Sequence, residues 1–125
     1  MAKATPQQQS VKDTIVLQAT RAILSDEVAS SLYKEAQRDP VEAIINTTAT
    51  VMKGVKQAAA SQGRNYVGQP DFILGAAKEV IGKQVDLLVA FQVVPAEQKE
   101  QIAQQAFQGF AEIVQPPQGM LAQEA

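Results

Sequence analysis

The four residues Asp39-Pro40-Val41-Glu42 hold three helix-start signals at once. Asp39 offers a side-chain oxygen to backbone N–H groups that have no partner in a helix's first turn. Pro40 suits the first helical position, where its missing N–H is not needed, and Glu42 is placed to reach back to the cap. Behind this start Val41, Ile44, Thr48, Val51, Met52, Val55 and Ala59 recur at helical spacing and share one face, until Gly63 provides a stop. A face this long has to be covered, so a helix here predicts partner helices elsewhere in the chain.

Those partners are readable in the same way. Val11, Ile15, Ala19, Ala22 and Ile23 share a face and predict a first helix over about Ser10 to Leu24. Leu17 and Leu24 fall on its opposite side, which predicts cover on two flanks. Ser25-Asp26-Glu27 supplies a cap and an acidic first turn for a second helix through about Arg38, with Val28, Ala29, Leu32, Tyr33 and Ala36 as its stripe. The stripe changes register near Ser25, so two helices with a break are expected rather than one bent helix. Pro70-Asp71 opens a fourth helix to about Val93, with Ile73, Ala77, Val80, Ile81, Leu87, Leu88 and Phe91 facing the core. Val94-Pro95-Ala96-Glu97 repeats the proline-then-glutamate start. The fifth helix then carries Ile102, Ala103, Ala106, Phe107, Phe110, Ile113 and Val114 on its apolar face, and Pro116 ends it. Period-two alternation and Asn-Gly hairpin signals are absent. The expected fold class is all-α, a single-domain bundle of about five amphipathic helices over residues 10–115. Residues 1–9 read as a flexible polar arm and 116–125 as a loose tail.

Composition narrows what such a bundle does. Among 125 residues there is no His, no Cys and no Trp. Nucleophile pairs built on His, histidine-containing zinc sites and disulfide frameworks are therefore out of reach. The net charge is −2 and the basic residues are spread along the chain, so no clustered basic face for nucleic acid is expected. The amino end lacks the apolar core of a signal peptide, and no stretch approaches the ~20 apolar residues of a membrane span. The richest window, Val80 to Val94, is interrupted by Lys83, Gln84 and Asp86. Gly63 to Gly68 has two glycines but lacks the Lys-Ser/Thr ending of a phosphate loop, and it reads as a turn between helices. Glu79 and Asp86 sit seven apart on one face, spaced to share a cation. Lys83, four residues after Glu79, gives the simpler reading of a solvated ion pair. No cofactor, metal or catalytic residue is assigned, and the expectation is a protein without enzymatic activity.

Three features speak instead of contact. Gly75, Gly82 and Val89 line up at seven-residue intervals on the fourth helix, away from its main apolar face. Interior helix glycines cost roughly 0.5–1 kcal/mol each relative to Ala, so the line invites close approach of another backbone, within the bundle or across subunits. Arg64, Asn65 and Tyr66 sit in the longest loop, where an aromatic ring beside Arg serves either as a recognition tip or as a residue folded back on the core. Gln84 lies inside the apolar face of the fourth helix and needs a polar partner, either a neighbouring helix backbone or water, or a polar group on a bound partner. Gln101, Gln104, Gln105 and Gln108 give the fifth helix an uncharged polar face.

The segments Ser25-Asp26-Glu27-Val28-Ala29, Asp39-Pro40-Val41-Glu42-Ala43-Ile44, Asp71-Phe72-Ile73-Leu74 and Gln101 to Phe107, with the Gln-rich arm, resemble small Ala/Gln-rich helical virion proteins of tailed bacteriophages. That resemblance spans about residues 7 to 115 in style and defines no motif position, so no functional residue is carried over. It implies an oligomeric structural protein that contacts portal, capsid or tail proteins, located in the virion or in the cytoplasm of the producing cell. The competing expectation is a regulatory or anti-defence binding protein that captures a host protein or small ligand in an interhelical groove.

Overall fold

A computed structural model describes residues 6–64 and 69–115, with side chains from Lys12 onward. These residues are all-helical, with no strand among them: α1 Pro6–Ile23, α2 Asp26–Ala36, α3 Pro40–Ser61, α4 Pro70–Ala90, a 3₁₀ turn Ala96–Gln98, and α5 Lys99–Val114. The expected bundle of five helices is what forms. The expected tail over 116–125 lies outside the described residues, as do Asn65 and Tyr66.

Each boundary has a local cause. At the start of α3 the Asp39 side chain accepts a hydrogen bond from the Glu42 N–H at 3.2 Å, and Pro40 fills the first helical position. α1 starts at Pro6, before the expected Ser10, with proline again in the first turn. α1 and α2 are separate, as the register change implies. Ser25 occupies the cap position in an extended conformation, but its hydroxyl donates to the Ala22 carbonyl at 2.6 Å and closes α1 instead of opening α2. α2 stops at Ala36 rather than Arg38.

The two long helices end in the same way. Beyond α3, Gly63 takes φ +78°, and the N–H groups of Gly63 and Arg64 return to the carbonyls of Ala60 and Ala59 at 3.0 and 2.9 Å. Beyond α4, Gln92 takes φ 62°, and the N–H groups of Gln92 and Val93 return to Val89 and Leu88 at 3.0 and 2.9 Å. Both are left-handed C-terminal caps that satisfy otherwise orphaned carbonyls. The first is announced by its glycine. The second is not, because Gln carries a Cβ that disfavours this conformation, and this is why α4 ends at Ala90 rather than the expected Val93.

α3 and α4 form the axis of the bundle. Thr48 in the first half of α3 meets Gln84 in the second half of α4, while Pro70 and Ile73 border the same groove as Met52, Lys53 and Lys56, so the pair runs antiparallel. α1 and α5 each pack against both axial helices, and α2 lies along α3. The core follows the expected stripes: Ile15, Ala19, Ile23, Leu32, Ile44, Met52, Ile73, Val80, Ile81, Leu88, Ile102, Ala106 and Phe110 are all buried. Ala77 is buried as expected, and Ala76 and Val85 join the stripe to complete the inward face of α4. Leu17 and Leu24 are more than half exposed, so α1 is not covered on a second flank. Phe91 and Ile113 also lie outside the core where the stripes placed them inside, as does Ala22. Phe91 follows the last turn of α4 and meets Tyr33 edge to face, with ring centroids 5.6 Å apart. Ile113 is in the last turn of α5 at the edge of that helix's packed face, whereas Val114 beside it still packs against the core.

Gln92 gives a direct test of this account. A left-handed residue with a side chain costs about 1–2 kcal/mol, and glycine gives back part of that through its freer unfolded state. Gln92→Gly is expected to stabilise the fold by about 0.5–1 kcal/mol, read as a higher denaturant midpoint at unchanged slope.

Candidate functional surfaces

The glycine line of α4 is laid out along about 21 Å of helix, at 1.5 Å per residue from Gly75 to Val89. Among the described residues, no backbone approaches its two glycines. A Cβ added at Gly75 would lie 3.7 Å from the Lys12 Nζ and 3.9 Å from its Cε, and a Cβ at Gly82 would meet nothing within 4 Å. The intramolecular form of the expectation is thereby corrected. Gly75 leaves room for the Lys12 stem, which crosses it to pair with Glu79 at 3.5 Å. Gly82 and Val89 are half-buried and open toward solvent on that side.

The glycine that does admit a neighbour is Gly109 in α5. A Cβ there would collide with the Ile45 Cδ1 and sit 3.3 Å from its Cγ1, so the approach of α5 to α3 depends on this position. The sequence carried the signal, an interior glycine between Phe107 and Phe110, and the same reasoning applied to Gly75 and Gly82 would have found it.

Arg64 is exposed at the residue after Gly63, and it borders a small depression with Thr14, Gln18, Val55 and Gln62 where α1 meets the end of α3. It is therefore placed near the Gly75 end of the glycine line and away from Gly82 and Val89. Of the six residues singled out from the sequence, Asn65 and Tyr66 lie outside the described residues.

Gln84 is fully buried and donates from its Nε2 to the Thr48 Oγ1 at 2.7 Å, while its Oε1 has no partner. Its partner is a neighbouring helix, as the sequence suggested, but through a side-chain hydroxyl rather than the backbone.

Glu79 and Asp86 do not share a site. Glu79 pairs with Lys12 of α1 rather than with Lys83, and Asp86 pairs with Lys99 of α5 at 2.5 Å. Both carboxylates are about half exposed, and such pairs contribute little to stability. Among the described residues, no three His, Cys, Asp or Glu side chains are grouped to hold a metal ion. No helix among them is long and apolar enough to cross a membrane.

Two grooves remain. One runs between α2 and α3, with Val28 and Val51 in its lining and Glu27 and Glu35 at its border, so it is acidic over a mainly apolar floor. The other lies between α3, the start of α4 and the end of α5, with Ala49, Met52, Ile73, Phe110, Ile113 and Val114 under Lys53 and Lys56. Each carries charge of a single sign, acidic in the first and basic in the second, and the second also has Ile113 more than half exposed at its edge. Nothing in the sequence pattern announced it, because it arises where three helices from distant segments diverge. No known protein family, curated protein or solved structure matches the chain.

Two experiments test these assignments. Gly82→Ala is expected to stabilise the folded chain by up to about 1 kcal/mol, as open space allows, whereas at Gly109 the Ile45 Cδ1 must swing aside to admit the new methyl group, so Gly109→Ala is expected to gain less. Thermal unfolding of the two variants should rank Gly82→Ala above Gly109→Ala. For the buried pair, Thr48→Val alone strands the Gln84 amide at a cost of about 1–3 kcal/mol. The double variant Thr48→Val/Gln84→Leu is expected to recover that loss, and chemical denaturation of the four-member cycle measures the coupling.

Proposed function

We propose that this chain is a non-enzymatic helical assembly protein, a component of a tailed-bacteriophage virion that forms homo-oligomers and contacts portal, capsid or tail proteins. The observation that carries the contact role is the groove between α3 and α5. It leaves Ile113 more than half exposed, next to Phe110, Val114 and Met52, on a body whose helices are otherwise fixed by a continuous core. Apolar floors with charged rims are what protein interfaces use, since the apolar part supplies burial and the charges supply orientation. The setting in a virion is supported by the likeness of the Ala/Gln-rich helices to small phage structural proteins.

The same groove serves a second reading, a regulatory or anti-defence protein that captures a host protein or small ligand between helices. The two readings differ in stoichiometry. An assembly protein is expected to exceed monomer mass at micromolar concentration and to co-sediment with particles at constant copy number. A capture protein runs at monomer mass until its target is added. Light scattering across a concentration series, followed by sedimentation with purified particles, separates them. Monomer mass throughout, together with absence from particles, would reject the assembly reading.

A further inference from the structure

We infer that copies of this chain associate head to tail, the corner between α1 and α2 of one copy seating in the α3–α5 groove of the next. This rests on the homo-oligomeric part of the function proposed above and names the surfaces that would carry it. Among the described residues Lys53 and Lys56 are the only charged ones bordering the groove, they lie one turn apart, and neither has an ion-pair partner. Ile113, 57% exposed, stands at its edge. Two unneutralised ammonium groups over an apolar floor favour an incoming surface that brings an apolar side chain and negative charge together.

The molecule carries such a surface on another flank. Leu24 is 56% exposed, and it is followed at once by Asp26 and Glu27, both exposed and without an ion-pair partner among the described residues. The corner is held in place rather than left to be ordered on contact: the Ser25 hydroxyl donates to the Ala22 carbonyl at 2.6 Å, and the Ala29 N–H donates to the Ser25 carbonyl at 2.9 Å. Preformed shape lowers the entropic cost of docking. Neither α1 nor α2 borders the groove, so a copy does not fill its own groove with its own corner. The contact joins two different surfaces and is therefore heterologous. Its repetition closes a ring or extends a filament, which is the geometry a many-copy assembly protein requires.

The test is a charge reversal in the full-length chain, read by sedimentation and light scattering. Lys53→Glu/Lys56→Glu places acid against acid, and Asp26→Lys/Glu27→Lys places base against base. Each is expected to weaken self-association at least about tenfold, while circular dichroism shows the helical fold retained. Mixing the two variants is expected to restore association, because each corner then faces a groove of opposite sign. Wild-type association is expected to weaken with added salt. Should the Asp26/Glu27 reversal unfold the chain, Asp26→Asn/Glu27→Gln makes the same test with neutral side chains. Undiminished association in either charge-reversed variant overturns the inference. So does a loss that mixing fails to repair, since that outcome assigns the groove to another segment or another protein. A wild-type chain that stays monomeric at every concentration removes the homo-oligomeric reading itself, whereas an oligomer indifferent to these charges removes only the surfaces named here.

Discussion

The constraint on which the rest of the structure depends is the burial of α4 on several sides at once. Ile73, Ala76, Ala77, Val80, Ile81, Gln84, Val85 and Leu88 leave water together, which only α1, α3 and α5 in combination achieve. Each large aliphatic side chain among them contributes on the order of 1.5–3 kcal/mol when fully buried. No single neighbouring helix collects that gain alone. The arrangement therefore forms as a unit, and the alanines at 76 and 77 matter as much as the larger residues, because they let flanking helices approach closely. Gly109 does the same for α5, where even one methyl group would press on Ile45.

A core made only of methyl and methylene contacts tolerates sliding, since apolar burial has no direction. The Thr48–Gln84 bond adds direction where α3 crosses α4. Rotating the amide by half a turn would exchange the atom that meets the hydroxyl and leave the other unpartnered, so one unsatisfied polar atom belongs to the pair in either orientation. That cost is recoverable by replacing both residues with apolar ones. A pair that lowers stability yet fixes how far α4 slides along α3 is a specificity element, in the way a buried amide sets register in coiled coils.

Much of this fold was legible because the helical period and the start signals act locally. Asp39-Pro40-Val41-Glu42 gave its helix start to the residue, Gly63 gave its stop, and the register change at Ser25 gave the break between α1 and α2. What failed had non-local causes. Phe91 and Ile113 continue apolar stripes, and Leu17 and Leu24 form a second apolar side of α1, yet all four stay largely exposed. A stripe records which side faces inward and not how far the neighbour extends. The stop at Gln92 was hidden because an unfavourable left-handed residue is tolerated where the surrounding packing determines it. Among the surfaces, the Gly75, Gly82 and Val89 line was correctly seen as a line, but the glycine under steric pressure is Gly109. Which glycine a neighbour touches depends on a crossing point between α3 and α5 that neither segment encodes alone. The α3–α5 groove is a product of the same three-helix geometry.

Charge is distributed over this surface in a way that separates holding the fold from selecting a contact. The two interhelical ion pairs, Lys12–Glu79 and Asp86–Lys99, tie α1 and α5 to α4 and leave those four charges neutralised. The outward face of α5 is then lined by Gln101, Gln104, Gln105 and Gln108, all exposed. An amide loses less than an ion on leaving water and makes hydrogen bonds with almost any polar neighbour, so such a face accepts contact without choosing a partner. Selection needs unpaired charge of one sign beside an apolar recess, because a wrong partner is then rejected by repulsion as well as left unrewarded by burial. Lys53 and Lys56 over the α3–α5 groove meet that requirement, and the amide face of α5 does not. On the function proposed above, a partner recognised here would arrive with negative charge at the end of α5 and leave the glutamine face for solvent or for looser packing.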